Sequence, residues 1–183
     1  MIRRLLAVLG FLALCACSTE KYMINPDGSR PALYPASQVL AWPVSGGAHQ
    51  SAIGTKIYID PTVQFDKNVR LGDGVRIGAR SLIDEDVVLF PNVTIGEDST
   101  VGGDAIVQSY AKIGNKVSVA GDAKIGPNVV IEDGAKIGKW ALIGKGATIG
   151  AEAKVGVGAV VDAGATVAES QVVAAQTHVT AKK

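Results

Sequence analysis

The sequence predicts an all-β fold: short parallel strands wound as a coil, each turn of chain stacked on the one before. Three observations predict it. Large apolar residues recur at every sixth position from Ile53 to Val179, 22 times without a miss. Four residues after each of the first 21 stands a small or β-branched residue, with Gln171 the one departure. All 18 glycines between Ile53 and His178 fall one to three places after a large residue, and Pro61, Pro91 and Pro127 fall two places after one. Each six-residue unit therefore has an extended half, in which residues two apart share a face, and a turning half. There glycine permits positive φ, and proline costs no ladder hydrogen bond. A period of six with recurrent Gly and Pro excludes an amphipathic helix.

The elements follow in chain order. Residues 1–16 carry the plan of a secretory signal: Arg3 and Arg4, the apolar run Leu5 to Leu14, then the small Ala16. That run is too short to span a bilayer as a helix. The stretch Leu14-Cys15-Ala16-Cys17 resembles the lipobox of bacterial lipoproteins. The resemblance implies cleavage before Cys17, acylation of Cys17, and, with Ser18 following, an outer-membrane address. Residues 17–52 hold four of the seven prolines (Pro26, Pro31, Pro35, Pro43) and the pairs Asp27-Gly28 and Gly46-Gly47. They read as a tether, with Ser37 to Trp42 as one helical turn able to cap the first coil. The β-helix is expected over 53–180, with 181–183 as a tail.

Units such as Ile77-Gly78-Ala79-Arg80-Ser81 and Ile143-Gly144-Lys145-Gly146-Ala147 resemble the hexapeptide-repeat family. The resemblance implies three sides per coil, about seven triangular coils and a left-handed hand. Members are commonly trimeric acyltransferases that use acyl-CoA or acyl carrier protein, with a catalytic His near a subunit interface. This chain departs from that pattern. It has no loop inserted between coils, and its two His are His49, before the coils, and His178, in the last unit. A general base needs a partner and a held substrate, and the sequence offers His178 neither. It reads as an exposed polar side chain.

Other chemistry is sparse. Formal charge is +1, and loss of Arg3 and Arg4 leaves 16 basic against 17 acidic side chains, so no nucleic-acid partner is expected. An apolar share of 48% excludes a disordered chain. Both Cys lie in the leader region, so neither a disulfide framework nor a transition-metal site is expected. No cofactor is expected. Asp86, Asp104 and Asp122 recur at 18-residue intervals and would stack as a column. They are a weak Ca²⁺ candidate against the plainer reading of turn-forming Asp. One row of outward positions, Tyr58, Arg76, Thr94, Lys112, Val130, Thr148 and Thr166, is too mixed for an ice-binding surface.

Another side carries Val88, Ile106, Leu142 and Val160, edged by Phe90, Tyr110 and Trp140. An apolar strip of this size reads as an interface, here of a homotrimer through Val88, Phe90, Ile106, Trp140, Leu142 and Val160. The favoured expectation is a non-catalytic β-helical scaffold of the cell envelope. It would be held at the outer membrane by lipidated Cys17 and would meet an envelope protein or glycan. The alternatives are a hexapeptide-repeat acyltransferase-like enzyme and a glycan- or polymer-binding protein.

Overall fold

The structure, a computed structural model, describes residues 56–181. The leader, Cys17, the tether, residues 53–55 and residues 182–183 lie outside the described residues. Twenty-one two-residue strands run from Tyr58–Ile59 to His178–Val179. They sort into three seven-stranded sheets. The first runs from Tyr58–Ile59 to Thr166–Val167, the second from Gln64–Phe65 to Val172–Val173, and the third from Arg70–Leu71 to His178–Val179. Every pairing is parallel and joins residues 18 apart, as in Tyr58↔Arg76 and Lys124↔Leu142. Three units therefore close one coil, and the fold is an all-β parallel solenoid of seven coils, consistent with the left-handed hexapeptide-repeat β-helix. No helix among the described residues is long and apolar enough to cross a membrane.

The period explains the burial. The first residue of each strand points outward, and the second points in. The small position two residues before the inward one points in as well, so Val87 and Leu89 are both buried. The small position is mostly Val in the early coils (Val63, Val69, Val75) and Ala in the late ones (Ala153, Ala159, Ala165). Two early exceptions are Ser81 and Ser99. The Ser81 hydroxyl donates to the Gly96 carbonyl and accepts from the Ser99 N–H. The Ser99 hydroxyl repeats this one coil on, with the Gly114 carbonyl and the Val117 N–H. Each buried hydroxyl is therefore fully used.

The turns correct one sequence inference. Positive φ falls three places after the large residue, where 15 side-chain-bearing residues and five glycines adopt it. Glycine directly after the large residue serves another purpose. A Cβ on Gly72 would stand 2.6 Å from the Pro91 nitrogen in the next coil, so bare backbone is needed for the coils to stack. Thr62 occupies a turn position without positive φ. There the Asp60 carboxylate accepts from both the Thr62 N–H and its hydroxyl. A β-branched residue is poorly suited to the left-handed region, and Asp60 organises a different turn.

Gln171, the exception to the small-residue rule, stands in the last coil. Elsewhere the N–H after the large residue bonds the next coil, as Gly150 N–H does to Val167 O. The corresponding Ala168 N–H instead donates to Gln171 Oε1 at 2.8 Å. A side-chain amide replaces the carbonyl that another coil would bring.

Candidate functional site

The third sheet presents Arg70, Val88, Ile106, Lys124, Leu142, Val160 and His178 outward, one per coil. Register places His178 directly beside Val160. Asp162 leaves the same strand as Val160 two residues on, and its side chain turns up toward the final coil. His178 Nε2 and Asp162 Oδ1 are 2.6 Å apart. A carboxylate only accepts, so Nε2 is the donor in this contact, and Nδ1 is the ring nitrogen that Asp162 does not bind. The side chains are 60% and 40% exposed respectively, so the pair stands at the surface.

Below this pair lies a groove of about 250 Å³ bounded by Gln108, Lys124, Leu142, Val160 and Asp162. Its origin is legible in the corner that follows the third sheet. Successive coils place Gln108, Gly126, Gly144 and Asp162 there. The two glycines remove side chains from the middle of the column and leave Gln108 and Asp162 as its ends. The groove combines an apolar floor, one ammonium at Lys124, the Gln108 amide and the Asp162 carboxylate, with His178 outside its lining. Beside the groove, the imidazole of His178 is a group able to accept a proton from a hydroxyl or amine brought to it.

The other candidate residues are placed as follows. Asp86, Asp104 and Asp122 stack along the edge between the second and third sheets, with φ of 57°, 59° and 59°. Asp122 pairs with Lys139 at 3.4 Å. Beside this column, Lys67 and Glu85 pair at 2.7 Å. Burial, with Asp66 and Glu85 close by, pushes the Asp84 carboxyl above its ordinary range. Among the described residues no three His, Cys, Asp or Glu side chains gather as a metal site would. Val88, Ile106 and Val160 are half-buried, and Leu142, Phe90 and Trp140 are exposed.

A second corner carries an ordered ladder. Arg80 grips Asp98 through Nε and Nη2, at 2.6 and 2.7 Å. One coil up from Glu97, Asn115 Oδ1 accepts its N–H, and Asp133 Oδ1 accepts the Asn115 N–H in turn. Hydrogen bonding from Arg80 holds Asp98 below the usual carboxylate range, and hydrogen bonds from the Asn115 backbone and side chain do the same for Asp133.

Residues 104–139 match the family described as bacterial transferase hexapeptide (six repeats). No curated protein matches the chain. Among solved structures, the chain is similar to the UDP-N-acetylglucosamine acyltransferase of Francisella novicida: 16% identity, 66% of this chain and 59% of that chain covered, TM-score 0.52. PerB from Caulobacter crescentus, solved with CoA and GDP-perosamine, matches at 20% identity, 67% and 52% coverage and TM-score 0.46. A hexapeptide transferase family protein from Anaplasma phagocytophilum matches at 18% identity, 79% and 75% coverage and TM-score 0.42. At these identities the likeness is one of fold.

Two expectations change here. The favoured reading as a non-catalytic scaffold is corrected here: the matching family model over residues 104–139 is described as a bacterial transferase hexapeptide, and the solved structure that matches above a TM-score of 0.5 is titled an acyltransferase, a likeness that is one of fold. The acyltransferase-like alternative is the better supported. His178, read from the sequence as lacking a partner, has one in Asp162. The signal was present: Val160 lies 18 residues before His178, so an acid two residues further on comes within reach once coils of three units are laid out.

Proposed function

We propose that the chain is an acyltransferase of the hexapeptide-repeat type, with His178 as general base and Asp162 as its orienting partner. The observation that carries the reading is the 2.6 Å contact between His178 Nε2 and Asp162 Oδ1. Nδ1 takes the proton of an acceptor hydroxyl or amine as the acceptor attacks the donor's acyl carbon. The acyl–sulfur bond breaks, and the leaving thiolate receives the proton from the imidazolium. Asp162 stabilises that imidazolium and fixes the ring. The donor, an acyl thioester of CoA or of a carrier protein, is what the family resemblance implies, and the groove from Gln108 to Asp162 is where it would lie. The lipobox-like Leu14-Cys15-Ala16-Cys17 supports a membrane anchor at Cys17.

The test is transfer from acetyl-CoA and acyl carrier protein thioesters to a panel of hydroxyl and amine acceptors. His178→Ala is expected to lower kcat by about 10²-fold or more, the usual share of a general base. Asp162→Asn is expected to lower it less while KM for the donor holds. Absence of transfer from every thioester, or a His178→Ala protein as active as the parent, overturns the reading.

A further inference from the structure

The edge between the second and third sheets changes character along the rod. In the early coils it is acidic, with Asp84, Glu85, Asp86 and Asp104. In the late coils it becomes apolar and cationic. Trp140 is 57% exposed and Val157 46%, and Val172, on the adjoining outer face of the second sheet, is 68% exposed. Lys139 is exposed on the edge, and Lys136 and Lys154 are exposed on the adjoining face of the second sheet. The Lys139 ammonium lies over the Trp140 ring, 4.6 Å from its centroid, and reaches Asp122. That is the one carboxylate on this half of the edge, and it is already paired. Trp140 also takes a turn position at φ 57°, where five other units place glycine. A bulky ring there fills no core and is presented outward.

We propose that this late-coil edge is a docking surface for an anionic lipid bilayer. Amphipathic rings seek the headgroup level, aliphatic side chains gain by entering it, and lysines beside them meet the negative surface potential. Charge complementarity selects the lipid over a neutral partner, and the carboxylates of the early coils turn that end of the rod away. A lipidated Cys17 would hold the chain close enough for the contact to form, and the edge then sets how the rod stands on the membrane. The inference is independent of the acyl-transfer reading.

The experiment uses the full chain carrying Trp42→Phe, so that Trp140 is the one emitting indole. The chain is bound to vesicles whose acyl chains are brominated, either phosphatidylglycerol or phosphatidylcholine. Quenching of Trp140, rather than capture of the chain, is the readout, because an anchor holds the protein to both. Strong quenching on phosphatidylglycerol that weakens in high salt, with little on phosphatidylcholine, is expected. Lys139→Glu combined with Lys154→Glu should lower the ratio of quenched to unquenched Trp140 on vesicle-bound chain about tenfold or more, since each surface lysine near anionic lipid contributes about a kcal/mol. His178→Ala should leave quenching intact, so this surface and the transfer reaction can fail separately. Trp140 emission unchanged by phosphatidylglycerol overturns the proposal. So does emission that follows protein concentration without vesicles, which would mean a second copy covers Trp140.

Discussion

Ser99 shows how much one buried hydroxyl holds. It serves as acceptor for the Val117 N–H and as donor to the Gly114 carbonyl. Ser99→Ala would leave both backbone groups buried and unpaired, at a cost of about 1–3 kcal/mol. Urea denaturation is the check, with the midpoint falling at constant slope. Asp84 gives a residue-scale test with a definite sign. Its carboxyl is pushed up by burial and by Asp66 and Glu85. A raised folded value means that Asp84 stabilises the fold below its unfolded value of about 3.8. That contribution is lost as pH rises through the folded value. Asp84→Asn should therefore gain on the parent as pH rises above 4 and converge with it in acid, measured as the difference in thermal midpoint. Asp98 and Asp133 behave in the opposite sense. Their lowered values stabilise the fold above the unfolded range, and that is lost as pH falls through the folded values.

At the scale of the element, the inward rows set which coils hold longest. Early coils pack Val against Leu or Ile, as with Val87 and Leu89, whereas late coils pack Ala against Val, as with Ala159 and Val161. Less apolar surface leaves water per coil in the late half, so its backbone should open first. Amide exchange should be slowest around Ile77 to Ile95 and fastest beyond Val155. Equal protection throughout would contradict this. The element level is also where the sequence was most readable. Ile77, Ile83 and Leu89 fixed the period by themselves, because a strand side chain has only two directions to point. The purpose of Gly72 was hidden, since what excludes a side chain there is the Pro91 nitrogen of the coil above. The pairing of Asp162 with His178 shows only when three units are laid out as one coil. Contacts between coils depend on the 18-residue register, and the six-residue period alone leaves the number of sides per coil open.

At the scale of the whole molecule, the third sheet bears the most consequence. A trimer of parallel prisms, as the family resemblance implies, would lay a neighbouring chain over Val88 and Ile106 and wall the groove beneath Asp162. Ile106→Glu should then reduce the mass seen by light scattering to that of one chain and depress acyl transfer with it. A mass unaffected by the substitution would place the contact on another face.

The constant register between each strand and the one 18 residues along makes length quantised. Excising residues 90–107 removes one whole rung of about 4.8 Å, rejoins matching edges and leaves His178 facing the side it faced before. Excising six residues instead rotates everything beyond the cut by a third of a turn. The His–Asp pair would survive, because both partners lie past the cut, but it would look out over a different wall of the prism, parted from Arg70 and Val88.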